Sequence, residues 1–213
     1  MHIEPVSCNS VMIRYEARID ETILDRVQQD YLRLKDIEGF REVVPSYASI
    51  WIEFDTARFT LESVRQKITV LLSPLKVRRS ESHFDLHEIP VDYSQGIDLE
   101  HIAKFAQCSV EEVIQRHTER TYRIYAIGFM EGFAYLGTVD SRIAMPRLAT
   151  PRTKVPKGAV AIANAQTAIY PQESAGGWNI VGVTDFDDFK LFKVGDKIRF
   201  IPVGRNVPIT TKR

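Results

Sequence analysis

GAVAIANAQTAIYPQESAGGWNIVG occupies Gly158 to Gly182. GAVAIANAQTAIYP reads as a strand, a turn near Asn164 and a second strand. PQESAGGW then interrupts the pattern, and the strand character resumes at once. Gly176 and Gly177 reach backbone angles closed to other residues, and they let a ligand or partner approach the main chain. Trp178 brings a large flat face and one N–H donor. A loop of this kind beside Gln166, Thr167 and Tyr170 would line a polar, partly aromatic cleft. The plainer alternative is a hairpin loop covered by a core tryptophan. Outward from this stretch, the chain from Tyr122 onward is built of short strands punctuated by Gly and Pro. That texture predicts a β-barrel or sandwich.

The first third has another texture. Val11, Ile13 and Tyr15 alternate with Met12 and Arg14, the period of a half-buried strand. Asp20 is placed to cap a helix with Ile23, Leu24, Val27, Tyr31 and Leu34 on one face, and Gly39 to stop it. Phe40–Phe54 reads as two strands broken at Pro45, because proline cannot donate to a ladder. Thr60 opens a second helix with Leu61, Val64, Ile68 and Leu71 inward, and Ser73-Pro74 ends it. His83–Tyr93 reads extended. The βαββαβ order predicts a ferredoxin-like α+β domain over residues 1–82, with the polar stretch VRRSES (Val77–Ser82) as the boundary. A barrel domain is expected over 83–213. It begins with two short helices, the first capped by Asp98 and the second by the S-x-x-E box of Ser109 and Glu112.

Composition narrows the function classes. Hydrophobic residues make up 44% and charged residues 26%, as in ordinary globular chains. Twenty-eight basic residues balance 28 acidic ones, so no global field draws nucleic acid or an anionic membrane. The N-terminus shows no signal-peptide pattern, and no run nears the roughly 18 apolar residues of a membrane span. Cys8 and Cys108 lie far apart and read as reduced thiols of a cytoplasmic protein. Leu99–His117 imitates a DNA-binding helix-turn-helix, but its second helix opens with Val110, Glu111 and Glu112, and carboxylates repel phosphate. His83 and His87 have a metal-ligand spacing only on a helix. On an extended segment they stand over ~10 Å apart, so no metal is expected.

Other residues leave two readings open. His117 shares the inward face of Val113 and Ile114, as either a satisfied core histidine or a histidine at the rim of a site. Glu131 sits at the tip of a glycine-flanked loop in GFMEGFAYL. Pro146-Arg147 and Pro151-Arg152 present two guanidinium groups on stiffened backbone, suited to carboxylate or phosphate, or to acids nearby on the surface.

Taken in order, GFMEGFAYL, the PRLATPR pair, VPKGAVAIANAQTAIYP, SAGGWNIVG and VGDKIRFIPV resemble the family of the B-type component of 5-oxoprolinase, also called the KipI or allophanate hydrolase subunit 1 family. HEIPVDY and REVVPSY continue the likeness toward the N-terminus. The resemblance implies a small α+β domain and a cyclophilin-like β-barrel, with the Gln-Thr and Gly-Gly-Trp motifs over the barrel's cleft. It implies one component of an ATP-dependent enzyme that opens 5-oxoproline to L-glutamate, together with a directly bound C-type component and an A-type component. It also brings two other roles known in the family: direct inhibition of a sensor histidine kinase, and a domain of urea carboxylase. By the same resemblance, His117, Arg147, Arg152, Gln166, Thr167, Tyr170, Gly176, Gly177 and Trp178 are candidate cleft residues. The arginines would hold a carboxylate or a phosphorylated intermediate, Gln166 and Thr167 the lactam amide, and His117 a proton. The sequence departs from the family at Glu131 and Ala134, where proline is usual, at Ala168, where glycine is usual, and at Ala175, where proline is usual. Glu131, a candidate catalytic residue with His117, would add a carboxylate near the cleft, and would repel an anionic substrate unless an arginine pairs with it. No Walker-type loop is present, so ATP is expected elsewhere in the complex.

Overall fold

A computed structural model describes residues 1–73 and 84–204. The chain divides into two compact units, Met1–Phe84 and Asp85–Arg213. Val77–Ser82 and His83 lie outside the described residues.

The first unit is a four-stranded antiparallel sheet with two helices. Its elements are β1 (His2–Ser7), β2 (Ser10–Arg14), α1 (Glu21–Leu34), β3 (Phe40–Ser46), β4 (Ser49–Phe54) and α2 (Leu61–Leu71). The sheet order is β1-β2-β4-β3. Asp20 caps α1 by accepting from Ile23 N at 3.1 Å, and Thr60 caps α2 in a reciprocal box with Ser63. Val27, Ile50, Ile52, Phe54, Val64 and Ile68 are fully buried between sheet and helices. Two expectations change. The chain turns at Tyr47-Ala48, and β3 runs straight through Pro45. Because β3 is an edge strand, the missing proline N–H costs no ladder bond. The segment expected to complete a βαββαβ unit instead enters the barrel, and the hairpin strand β1 fills out the sheet.

The second unit is a closed barrel. Its elements are β5 (Leu86–Asp92), α3 (Leu99–Ala106), α4 (Val110–Thr118), β6 (Thr121–Ile127), β7 (Ala134–Gly137), β8 (Arg152–Val155), β9 (Ala159–Ala163), β10 (Gln166–Ile169), β11 (Ser174–Gly176), β12 (Asn179–Val183) and β13 (Lys197–Val203). Seven strands close in the order β10-β7-β6-β13-β5-β12-β9, with β13 parallel to β5, while β8 and β11 form a separate ribbon. Closure leaves no unpaired edge. The turn between β9 and β10 sits at Asn164, in the left-handed region at φ 53°, which asparagine tolerates.

Alternation sorts the side chains. Val160, Ile162, Leu136 and Ile169 point into the barrel, and Leu99, Ile102 and Val113 of the two helices join the same core. That burial accounts for the apolar faces of the helix pair. Ala159, Ala161, Ala163 and Ala168 point outward into a second core with Phe133, Tyr170 and Trp178. Small residues on the outer face make room for the large rings.

Candidate functional site

Strand alternation separates the predicted cleft residues into two groups. In β10, Gln166 pairs with Ala163 and Thr167 pairs with Ile162. Consecutive strand residues face opposite sides, so Gln166 stands on the outer face and Thr167 inside the barrel.

His117 lies with Thr167. It is fully buried at the end of α4. Its Nδ1 is 2.7 Å from Tyr93 Oη, its Nε2 is 2.9 Å from Thr167 Oγ1, and its ring stacks on Phe200 at 4.7 Å. Thr167 donates its one hydroxyl proton to Ala161 O at 3.0 Å. It must therefore accept from Nε2–H, which leaves Nδ1 to accept from Tyr93. Tyr122 Oη donates to His117 O at 2.8 Å. With no charged partner and full burial, the imidazole is pushed down to about 3 and stays neutral. Both nitrogens are engaged, and the ring offers none to a substrate.

The outer face gathers the rest. Trp178 is 5% exposed and packs against Phe133 and Tyr135, each 6.0 Å away between ring centres. Tyr170 meets Phe133 edge to face at 5.3 Å. Burial raises the Tyr170 phenol, while the Trp178 backbone N–H and the nearby Arg147 and Arg152 oppose that shift. Gly176 is required here: a Cβ on it would lie 2.3 Å from Tyr170 Oη. The close approach that this glycine permits is that of the protein's own tyrosine. Gly177 ties the neighbouring segment, its carbonyl accepting from Leu148 N at 2.8 Å.

The two arginines differ. Arg152 reaches Asp98 Oδ1 at 2.7 Å and Trp178 O at 3.4 Å. Asp98, which is buried, uses its other oxygen on Ile180 N at 2.7 Å. It stands at the N-cap position of α3 but makes no side-chain cap, because both oxygens are engaged elsewhere. Arg147 is exposed and lies over the Trp178 ring at 5.6 Å. Glu131 is solvent-exposed and paired with Lys190 at 3.3 Å, which offsets its charge.

Sequence reasoning missed Asn179. It is fully buried, and its Nδ2 donates to Pro146 O at 2.8 Å and Ile162 O at 3.2 Å. Its place directly after Gly-Gly-Trp was the available signal. His87, in turn, is bound to Asp196 at 3.1 Å and packed against Phe192. Among the described residues no group of three acidic, histidine or cysteine side chains is placed to hold a metal. Nor is any described helix long and apolar enough to cross a membrane.

A family model described as carboxyltransferase domain, subdomain C and D, matches residues 1–196. The chain is 32% identical over 222 residues to the B-type component of 5-oxoprolinase from Bacillus subtilis, covering 94% of this chain and 92% of that protein. It is 43% identical over 148 residues to the B-type component of 5-oxoprolinase from Haemophilus influenzae, covering 65% and 68%. The crystal structure of TTHA0988 superposes with a TM-score of 0.81 at 29% identity, over 95% of this chain and 41% of that one. This chain thus spans less than half of that solved protein. Urea carboxylase of Kluyveromyces lactis superposes with a TM-score of 0.71 at 18% identity, over 92% of this chain and 21% of that enzyme, a likeness of fold alone.

Proposed function

Because this chain belongs to the family of the B-type component of 5-oxoprolinase, we propose that it is that component of an ATP-dependent enzyme that opens 5-oxoproline to L-glutamate. The observation that carries this reading is the 32% match that spans nearly all of both chains. On this reading the barrel is cyclophilin-like, and the chain acts in a complex with a directly bound C-type component and an A-type component. ATP binds elsewhere in that complex, since this sequence holds no phosphate-cradling glycine loop of the Walker type.

Ring opening breaks the lactam C–N bond and adds one water, with hydroxyl to the carbonyl carbon and a proton to nitrogen. The substrate carries a carboxylate throughout. What suits such a ligand on the barrel's outer face is Arg147, an exposed guanidinium over the Trp178 ring. This chain's share of the work is to bind and orient. On this reading His117, whose ring nitrogens are both engaged inside the barrel, supports the fold, while Glu131 stands exposed beside Lys190.

The test is glutamate release from 5-oxoproline and ATP by this chain mixed with its A-type and C-type partners, repeated with each component left out. Activity should require all three. Equal activity without this chain sinks the reading, and inhibition of histidine-kinase autophosphorylation would then be measured.

A further inference from the structure

The two Pro-Arg pairs look equivalent in sequence, but their surroundings divide them. Arg152 already has its counter-ion. Asp98 is 6% exposed, and its two oxygens join Arg152 to the backbone N–H of Ile180. A carboxylate arriving at Arg152 would have to displace a buried one, leaving Asp98 charged and unpaired.

Arg147 is the reverse case. Among the described residues no carboxylate pairs with it. Its backbone is nevertheless fixed on both flanks. On one side Pro146 O accepts from Asn179 Nδ2, and on the other Leu148 N donates to Gly177 O. Both anchors come from the stretch that carries Trp178, the ring beneath the guanidinium. A guanidinium without a counter-ion, on a backbone fixed at both flanks and resting over an aromatic ring, is available to an anion and has part of its ordering entropy already spent.

We propose, resting on the 5-oxoprolinase function, that Arg147 is the receptor for the substrate carboxylate. Arg152 is a structural latch closed by Asp98, and Asn179 is a positioning residue that holds Arg147 through Pro146. On this assignment the carboxylate of the substrate matters more for binding than its lactam.

Two measurements test this. In the assembled enzyme, Arg147→Ala should raise KM for 5-oxoproline about tenfold or more with kcat within about twofold, the signature of lost uniform binding. Arg147→Lys should recover part of the loss. Arg152→Ala should lower the thermal midpoint and move KM less than Arg147→Ala does. Independently of turnover, a Trp51→Phe protein retains Trp178 as its only tryptophan. Its fluorescence should change saturably with 5-oxoproline, and about tenfold more weakly with 2-pyrrolidinone, which lacks the carboxylate, or after Arg147→Ala. A flat titration, an unchanged KM in Arg147→Ala, or a larger KM effect from Arg152→Ala overturns the assignment. Those results leave the 5-oxoprolinase function standing if the assembly still needs this chain. Turnover without this chain removes that function instead.

Discussion

His117 shows how a single buried residue ties stability to pH. Its folded value, about 3, lies below the ordinary 6.5 because burial disfavours the cation. The unfolded chain therefore takes up the proton first. Stability is fully present above about pH 6.5 and falls as pH drops toward 3, by about 1.4 kcal/mol per pH unit from this residue. Chemical denaturation at pH 7, 6, 5 and 4 should show this slope, and His117→Asn, which does not titrate, should be flatter by that amount. An identical slope in the variant would mean that the ring is not buried neutral. Thr167 belongs to the same chain of hydrogen bonds. Thr167→Val keeps the shape but leaves the His117 Nε2–H without its acceptor, and should cost about 1–3 kcal/mol at pH 7. Measured unfolding within about 0.3 kcal/mol of the parent would contradict the network.

Among the elements, the ribbon β8–β11 and its loop hold the outer face together, and Gly176 is the closest contact within them. Gly176→Ala places a methyl group 2.3 Å from Tyr170 Oη and 2.9 Å from the ring carbons. Overpacking of this kind should cost about 1–3 kcal/mol. In a Tyr170→Phe background the hydroxyl is gone, and part of that cost should be recovered in a double-mutant cycle. Purely additive losses would place the two groups apart. The same elements show what sequence can and cannot disclose. Helix caps were legible at Asp20, Thr60 and Ser109, because each satisfies its own helix within three residues. Asp98 looked the same and was not, since its partners are Arg152 and Ile180, 54 and 82 residues away. The hairpin at Asn164 was legible from local turn chemistry. The opposite facing of Gln166 and Thr167 follows from strand period, but a shared motif obscured it. Strand β1 carries Pro5 and few apolar residues, so only pairing with β2 reveals it.

The whole molecule is two compact units in one chain, each with a core of its own. Ile52, Val64 and Ile68 belong to one core, and Val160, Ile162 and Phe200 to the other. The sequence marked a change of texture between them. It could not assign β5, whose extended pattern suits either sheet until it meets β13 in parallel register. Each unit buries its own apolar set, so a cavity confined to one core is expected to lower protection in that unit first. Ile52→Ala should leave a cavity in the first core alone and cost it about 2–5 kcal/mol. Native-state hydrogen exchange would then show protection in β2, β4 and α1 falling by more than about tenfold, because every 1.4 kcal/mol is a factor of ten. Amides of β9, β10 and β12 should keep the parent's protection. If protection falls equally in both sets, the cores open as one cooperative body, and substitutions on the barrel's outer face would then be felt in the N-terminal sheet as well.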